Sequence, residues 1–172
     1  NALVGNDGTL YVTGVNEKSV FLVKVDAGGE EIWRRTFDNI EDDGENSQGL
    51  DSAPLIQQDS KGNVYIAHKY DSTYGVLGML LKYSPSGRLL WEHIQPDISF
   101  FVQFEIDSSD QLYVGGLGVE YTPNEKIGYS VWSLDEDGNQ LWQKVWPNYS
   151  VNFMADAAGG GVCFFHGISR EL

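Results

Sequence analysis

The stretch that decides the fold reads Lys82-Tyr83-Ser84-Pro85-Ser86-Gly87-Arg88-Leu89-Leu90-Trp91. Its pattern occurs twice more, as Lys24-Val25-Asp26-Ala27-Gly28-Gly29-Glu30-Glu31-Ile32-Trp33 and as Ser133-Leu134-Asp135-Glu136-Asp137-Gly138-Asn139-Gln140-Leu141-Trp142. Each copy places Asp or Ser seven residues before a Trp, and Gly four residues before it. A pattern that returns after roughly 50 residues indicates a chain built from repeated structural units.

A second pattern precedes each of these stretches in the same register. It reads Gly8-Thr9-Leu10-Tyr11-Val12, Gly62-Asn63-Val64-Tyr65-Ile66, Asp110-Gln111-Leu112-Tyr113-Val114 and, more faintly, Gly160-Gly161-Val162-Cys163-Phe164. Alternating apolar residues with Gly or Asp between them are typical of strands joined by hairpins. In the third unit they predict strands at 100–106, 112–116, 128–134 and 140–146. No window of ten or more residues has a helical period.

The sequence therefore predicts an all-β chain, a β-propeller with four-stranded antiparallel blades of about 50 residues. About 3.5 blades are expected in one partial propeller: about 1–38, 52–95 and 99–146, and a half blade at about 151–168. Because propellers close with about 4 to 8 blades, these cannot close a ring. We favour a fragment of a longer propeller, completed by additional blades, and a homodimer that closes a seven-bladed ring is the alternative.

Two of the repeats carry a family resemblance. Asp7-Gly8-Thr9-Leu10-Tyr11-Val12 with Lys24-Val25-Asp26, Gly29 and Ile32-Trp33 resembles the repeats of quinoprotein-like (PQQ-like) propellers. Asp59-Ser60-Lys61-Gly62-Asn63-Val64-Tyr65-Ile66 with Leu81-Lys82-Tyr83-Ser84-Pro85-Ser86-Gly87 is similar to the bacterial β-propeller repeat proteins called SBBP. This resemblance implies an extracellular, cell-surface or periplasmic protein. The quinoprotein-like repeats imply a PQQ dehydrogenase with Ca²⁺ and a catalytic carboxylate, but no residue of this chain matches those roles.

Composition excludes several classes of function. The chain has 25 Asp and Glu against 11 Lys and Arg, a net charge of −14. We therefore expect no nucleic-acid partner, because such a partner requires a basic surface. We also expect no membrane span, because no apolar run approaches the roughly 20 residues required. The single cysteine, Cys163, has no partner for an intrachain disulfide.

The repeated glycines and tryptophans have structural roles in this interpretation. The glycines supply the positive φ of a hairpin turn, and the tryptophans pack between neighbouring blades. These residues are Gly29, Trp33, Gly87, Trp91, Gly138 and Trp142.

The candidate binding surface is the face that carries the long connections, predicted at 38–52, 69–77 and 117–127. Binding residues collect on loops held by a rigid scaffold. Tyrosines there are suited to contact a protein partner or to stack on carbohydrate rings. Clustered carboxylates are suited to Ca²⁺, and a solvated acidic loop is the alternative. The ligand-binding candidates are Tyr70, Asp71, Tyr74, Glu120, Tyr121 and Tyr149, and the Ca²⁺ candidates are Asp38, Glu41, Asp42 and Asp43.

No catalytic motif accompanies this surface. The inner strands are expected to present Gln57, Gln103, Glu105 and Asn152 to a central channel, with Glu105 as the one acid. His68 and His166 are separated by a blade, so we expect no shared metal. The predicted function is a non-enzymatic scaffold or interaction module that binds a protein partner, with no cofactor other than the Ca²⁺ candidate. The alternative is a carbohydrate-binding lectin or quinoprotein-like enzyme whose site is completed by blades outside this chain.

Overall fold

The computed structural model describes residues 1–15, 19–38, 54–72, 75–95, 100–120, 126–147, 151–155 and 162–166. Regular structure in these residues is entirely β. The strands are β1 (Ala2–Val4), β2 (Leu10–Val15), β3 (Ser19–Val25), β4 (Glu31–Asp38), β5 (Leu55–Gln58), β6 (Val64–Ser72), β7 (Gly75–Tyr83), β8 (Leu89–Gln95), β9 (Phe100–Ile106), β10 (Leu112–Glu120), β11 (Lys126–Leu134), β12 (Gln140–Pro147), β13 (Val151–Ala155) and β14 (Val162–His166).

The strands form four antiparallel sheets in chain order. Sheet A contains β1–β4, sheet B β5–β8 and sheet C β9–β12, while β13 and β14 pair as sheet D. Equivalent residues pair in equivalent registers: Tyr11 lies opposite Lys24 in sheet A, and Tyr65 opposite Lys82 in sheet B. The predicted all-β chain with repeated four-stranded antiparallel sheets is confirmed.

Two connections predicted as long loops are instead largely strand. Pairing of β6 with β7 continues through Tyr70 and Leu77 to Ser72 and Gly75, so the loop predicted at 69–77 is wrong. Likewise β10 and β11 pair as far as Glu120 and Lys126, inside the loop predicted at 117–127. Backbone pairing extends these strands regardless of side-chain polarity, because solvent at the end of a sheet accommodates polar side chains.

Four of the six described tight turns share one local mechanism, clearest at Asp59. Its Oδ1 accepts hydrogen bonds from the backbone N–H groups of Lys61 (3.0 Å) and Asn63 (2.7 Å). Asp26, Asp107 and Asp135 accept the same pair of bonds in their own turns. This side-chain mimic of a turn leaves one residue in the left-handed region, which favours glycine. The positive φ angles are 78° at Gly8, 86° at Gly29, 81° at Gly62, 79° at Gly87, 62° at Asp110 and 82° at Gly138.

Consecutive sheets pack face to face. Because side chains alternate along a strand, sheet B buries one face against sheet A and the other against sheet C. The A–B core contains Tyr11, Leu22, Ile56, Val64, Ile66, Met79, Leu81 and Tyr83. The B–C core contains Tyr65, Ala67, Leu80, Phe104, Leu112, Val114, Trp132 and Leu134. This repeated stacking is compatible with a propeller-like fold.

Candidate functional site

A tryptophan from one sheet docks on a turn of the next. The indole N–H of Trp33 donates to the Pro85 carbonyl at 3.1 Å, and the indole N–H of Trp91 donates to the Glu136 carbonyl at 3.1 Å. Pro85 and Glu136 occupy the same position in their turns, directly after Ser84 and Asp135. The A–B and B–C junctions therefore use the same hydrogen bond.

The turn glycine leaves room for this indole. A Cβ atom built on Gly87 would lie 2.8 Å from Cδ2 of Trp33, closer than real Cβ contacts. A Cβ on Gly138 would come within 3.4 Å of the Trp91 ring and closer still to His93. Gly87 and Gly138 therefore combine a positive φ with close approach of the preceding sheet. The sequence predicted the positive φ, whereas the close approach of an indole from the preceding sheet was not predicted.

Trp142 differs from the other two tryptophans. Its side chain is 37% exposed, and none of the described residues accepts a hydrogen bond from its indole N–H. It still packs on Tyr113, with ring centroids 6.1 Å apart, as Trp91 packs on Tyr65 at 5.7 Å. The Tyr–Trp pair is thus a feature of each complete sheet.

A charged network joins sheets B and C beneath the Trp91 contact. The buried ammonium of Lys82 donates to the Glu136 carbonyl at 2.7 Å and lies 3.9 Å from Asp59 Oδ2. The same Asp59 oxygen accepts a hydrogen bond from the Tyr65 hydroxyl at 3.0 Å. Burial, together with the charge of Asp59, raises the pKa of Tyr65 far above its usual value. This phenol stays neutral and has a structural role.

Sheets A and C vary this network at single positions. In sheet A the residue equivalent to Asp59 is Gly5, and Lys24 instead pairs with Asp7 at 2.8 Å. Hydrogen bonds from Lys24 and Thr9 hold the pKa of Asp7 well below its usual range. In sheet C a serine, Ser133, stands where the other sheets have lysine.

Two clefts lie at the tight-turn face, the end of the stack formed by the β1–β2, β3–β4, β5–β6, β7–β8, β9–β10 and β11–β12 turns. Each occupies the junction between neighbouring sheets, with volumes of about 270 and 280 Å³. Sequence reasoning missed both, because each cleft is formed by residues of two different sheets. The A–B cleft is lined by Asn6, Asp7, Tyr11, Gln58, Ser60, Lys61, Gly62 and Pro85, and the B–C cleft by Lys61, Ser109, Asp110, Gln111, Asp135, Glu136 and Leu141.

The polar groups of these clefts are largely bonded to one another. The Ser60 hydroxyl donates to Asp110 Oδ2 at 2.7 Å, and Lys61 forms an ion pair with Glu136 across the B–C junction. In the A–B cleft the Asn6 backbone N–H donates to Gln58 Oε1 at 2.7 Å. These bonds tie adjacent sheets together, so the clefts have the character of structural joints.

The predicted long-loop face lies at the opposite end of the strands. Asp71 and Glu120 end up in β6 and β10, and Asp38 is the last residue of β4. The pairings of Asp38 with Ser19, Asp71 with Val76 and Glu120 with Lys126 place all three at the sheet ends away from the tight turns. The remaining candidates Glu41, Asp42, Asp43, Tyr74, Tyr121 and Tyr149 lie outside the described residues.

Tyr70 is a strand residue, and its surroundings are partly apolar. It lies in β6 and packs against the A–B core. Because Tyr70 is half-buried in a strand, less of its ring is exposed for stacking on a sugar than if it lay in the loop predicted from sequence.

The inner strands gather one carboxylate with two amides. Gln57 Nε2 donates to Glu105 Oε2 at 3.3 Å and to the Phe104 carbonyl at 3.1 Å, and Gln103 Nε2 approaches Glu105 Oε1 at 3.5 Å. Burial raises the pKa of Glu105, and the Gln103 hydrogen bond offsets part of that shift. The side chain of Asn152 is not described. Among the described inner-strand side chains, one carboxyl and two amides do not make up the nucleophile and ligand set of a catalytic centre.

His68 is buried within sheet B, 2% exposed. Burial, with a smaller contribution from the charge of Lys69, lowers its pKa to about 4, and its Nε2 has no hydrogen-bond partner. The side chains of His166 and Cys163 are not described. Across the described part of the chain, no three His, Cys, Asp or Glu side chains are grouped to hold a metal.

Comparison with known proteins adds no identification. No protein-family model matches this sequence, and no curated protein is significantly similar to it. The SBBP and quinoprotein-like resemblance stays a prediction. No helix in the described residues is long and apolar enough to cross a membrane.

Proposed function

We propose that this chain forms part of a β-propeller and serves as a non-enzymatic scaffold that binds a protein partner through its long-loop face. That face is defined by the sheet ends that carry Asp38, Asp71 and Glu120. The observation that carries the proposal is the repeated Trp-to-turn hydrogen bond, which stacks successive sheets in the same way at both junctions. An extracellular, cell-surface or periplasmic location belongs to the same proposal.

The division of polar residues between the two ends supports this choice of surface. At the tight-turn face, Asp59, Asp107 and Asp135 accept backbone hydrogen bonds within their turns, and Lys61 and Glu136 pair with each other. Side chains used in this way are not available to a partner. Residues held at the opposite sheet ends by a rigid scaffold are suited to recognition.

The charge of the chain indicates the chemistry of the partner. A net charge of −14 attracts a basic protein surface and repels an acidic one. Tyrosine adds contact area with a polar tip, which is why it is frequent at protein interfaces. The expected partner is therefore a protein with a basic, partly aromatic contact surface.

A phage-displayed random peptide library panned on the immobilised chain tests this proposal. We expect enrichment of peptides rich in Lys and Arg, with affinity that falls as salt is raised. The double variant Asp71→Asn with Glu120→Gln is expected to weaken their binding about tenfold or more.

The matched control is Glu30→Gln with Asp137→Asn, which removes the same two charges at the tight-turn face. We expect it to leave peptide binding within about twofold of the parent chain. Failure to enrich peptides, or equal losses from the two double variants, would contradict the proposal.

A further inference from the structure

Sheet A has one face that repeats an interface found elsewhere in the chain. We define the outer face of sheet A by Val4, Leu10, Val12, Val23 and Val25, which lie on the side away from sheet B. Leu10, Val12 and Val25 are partly exposed, and Val4 is 71% exposed. These five residues are apolar, and the ion-paired Glu31 and Arg34 of β4 lie beside Val25 and Val23 on the same side of the sheet.

The equivalent positions in sheets B and C are fully covered. Val64 and Ile66 match Leu10 and Val12, and both are 0% exposed in the A–B core. In sheet C the same positions are Leu112 and Val114, also 0% exposed in the B–C core. In both cases the covering element is the preceding sheet. The outer face of sheet A thus has the composition of an inter-sheet contact.

The turn beside this face repeats the tryptophan acceptor. Ala27 occupies the position of Pro85 and Glu136, whose carbonyls accept indole N–H groups. Within the described residues no indole reaches Ala27. A Cβ atom on Gly29 would have no atom within 4 Å, whereas one on Gly87 would meet Trp33. The indole site is complete in sheets B and C and open in sheet A.

We propose that the outer face of sheet A, together with the Ala27–Gly29 turn, is a docking site for one further sheet of this repeat. The occupant presents a Tyr–Trp pair like Tyr65 and Trp91, and its indole N–H donates to the Ala27 carbonyl. The two internal junctions support this assignment. At each of them, the preceding sheet packs its Tyr–Trp pair against the equivalent face of the next sheet. This inference rests on the propeller architecture proposed above and adds the identity of the neighbour.

The test is a tandem chain in which residues 54–102 are repeated ahead of Asn1, so that the full chain is retained. Amide hydrogen exchange at Val12 and Val23 is expected to slow by about tenfold or more relative to the unextended chain, because docking removes local opening. Replacing the added copy's Trp91 by Ala removes this protection.

Two glycine variants of the tandem chain provide a matched pair. Gly29→Ala places a methyl group where the incoming indole would lie, and it abolishes the slowing. Gly8→Ala introduces an alanine at a similar φ of 78°, also with no atom within 4 Å, and it preserves the slowing.

Unchanged exchange, an added sheet that stays unfolded, or equal effects of the two glycine variants would overturn the inference. Dimerisation of the unextended chain that Val12→Asp abolishes and Trp142→Ala leaves unchanged would also overturn it, because a surface without the exposed Trp142 of sheet C would then occupy the face. Peptide binding at the long-loop face is measured separately, so failure of the docking inference is distinguishable from failure of the proposed function.

Discussion

Two glycines at the same turn position should respond differently to alanine. Gly29 and Gly87 have φ angles of 86° and 79°, so an L side chain is strained at both. They differ in their surroundings: a Cβ on Gly87 lies 2.8 Å from Cδ2 and 3.0 Å from Cε2 of Trp33, and one on Gly29 has no atom within 4 Å. The comparison separates backbone strain from inter-sheet packing.

The expected costs follow from these contacts. Alanine in the left-handed region costs about 1 kcal/mol, which is the whole effect expected for Gly29→Ala. At Gly87 the displaced Trp33 ring is held by its hydrogen bond to Pro85 and by the A–B core. Overpacking there adds about 1–3 kcal/mol. Gly87→Ala should therefore lower the free energy of unfolding by about 2–4 kcal/mol.

Urea unfolding followed by tryptophan fluorescence measures the two costs, and unchanged m-values show that the variants are comparable. The additional loss at Gly87 corresponds to a fall in Tm of about 2–4 °C per kcal/mol. Equal destabilisation by the two substitutions would refute the reasoning. The turn glycine would then be required only for its positive φ, and its contact with Trp33 would not contribute to stability.

Further substitutions test the hydrogen bonds and titrating groups. Trp91→Phe should cost about 1 kcal/mol more in urea unfolding than Trp142→Phe, since only Trp91 donates to the Glu136 carbonyl. His68 has a folded pKa of about 4 against 6.5 unfolded, so the neutral ring's contribution is present above pH 6.5 and lost as pH falls towards 4. His68→Leu should flatten that fall, which amounts to about 2 kcal/mol at pH 5. Burial raises the pKa of Glu105, so the free energy of unfolding falls as pH rises through the pKa of the folded state. Glu105→Gln should remove this pH-dependent fall, which urea unfolding curves at a series of pH values measure.

The turns and the repeat could be predicted from sequence because their causes are local. The side chain of Asp26 bonds backbone groups within four residues of itself, and Gly29 takes its φ from the same turn. A signal confined to five residues is readable without knowledge of the rest of the fold. The strands were predicted for the same reason, since alternation reports burial on one face.

The contacts between sheets and the ends of the strands could not be predicted. Arg35 donates to the Gly87 carbonyl at 2.5 Å, a contact between residues 52 positions apart that depends on how far one sheet is displaced over the next. Polar residues such as Lys69 and Asp71 led to the prediction of a loop. Backbone hydrogen bonds between β6 and β7 nevertheless continue past both residues. The clefts at the tight-turn face were missed for the same reason, because they exist only between sheets.

The distribution of bonds along the strands explains why recognition is assigned to one end of the stack. At the tight-turn face, neighbouring sheets are tied by Ser60 to Asp110, by Lys82 to the Glu136 carbonyl and by Asn6 to Gln58. A partner that bound there would have to compete with bonds that hold the sheets in register. Asp71 and Glu120 lie at the opposite ends of β6 and β10, where their backbones pair with Val76 and Lys126. Substitutions that remove these tight-turn bonds are therefore expected to weaken the junctions between sheets, and for this reason the proposed function places the partner at the opposite ends of the strands.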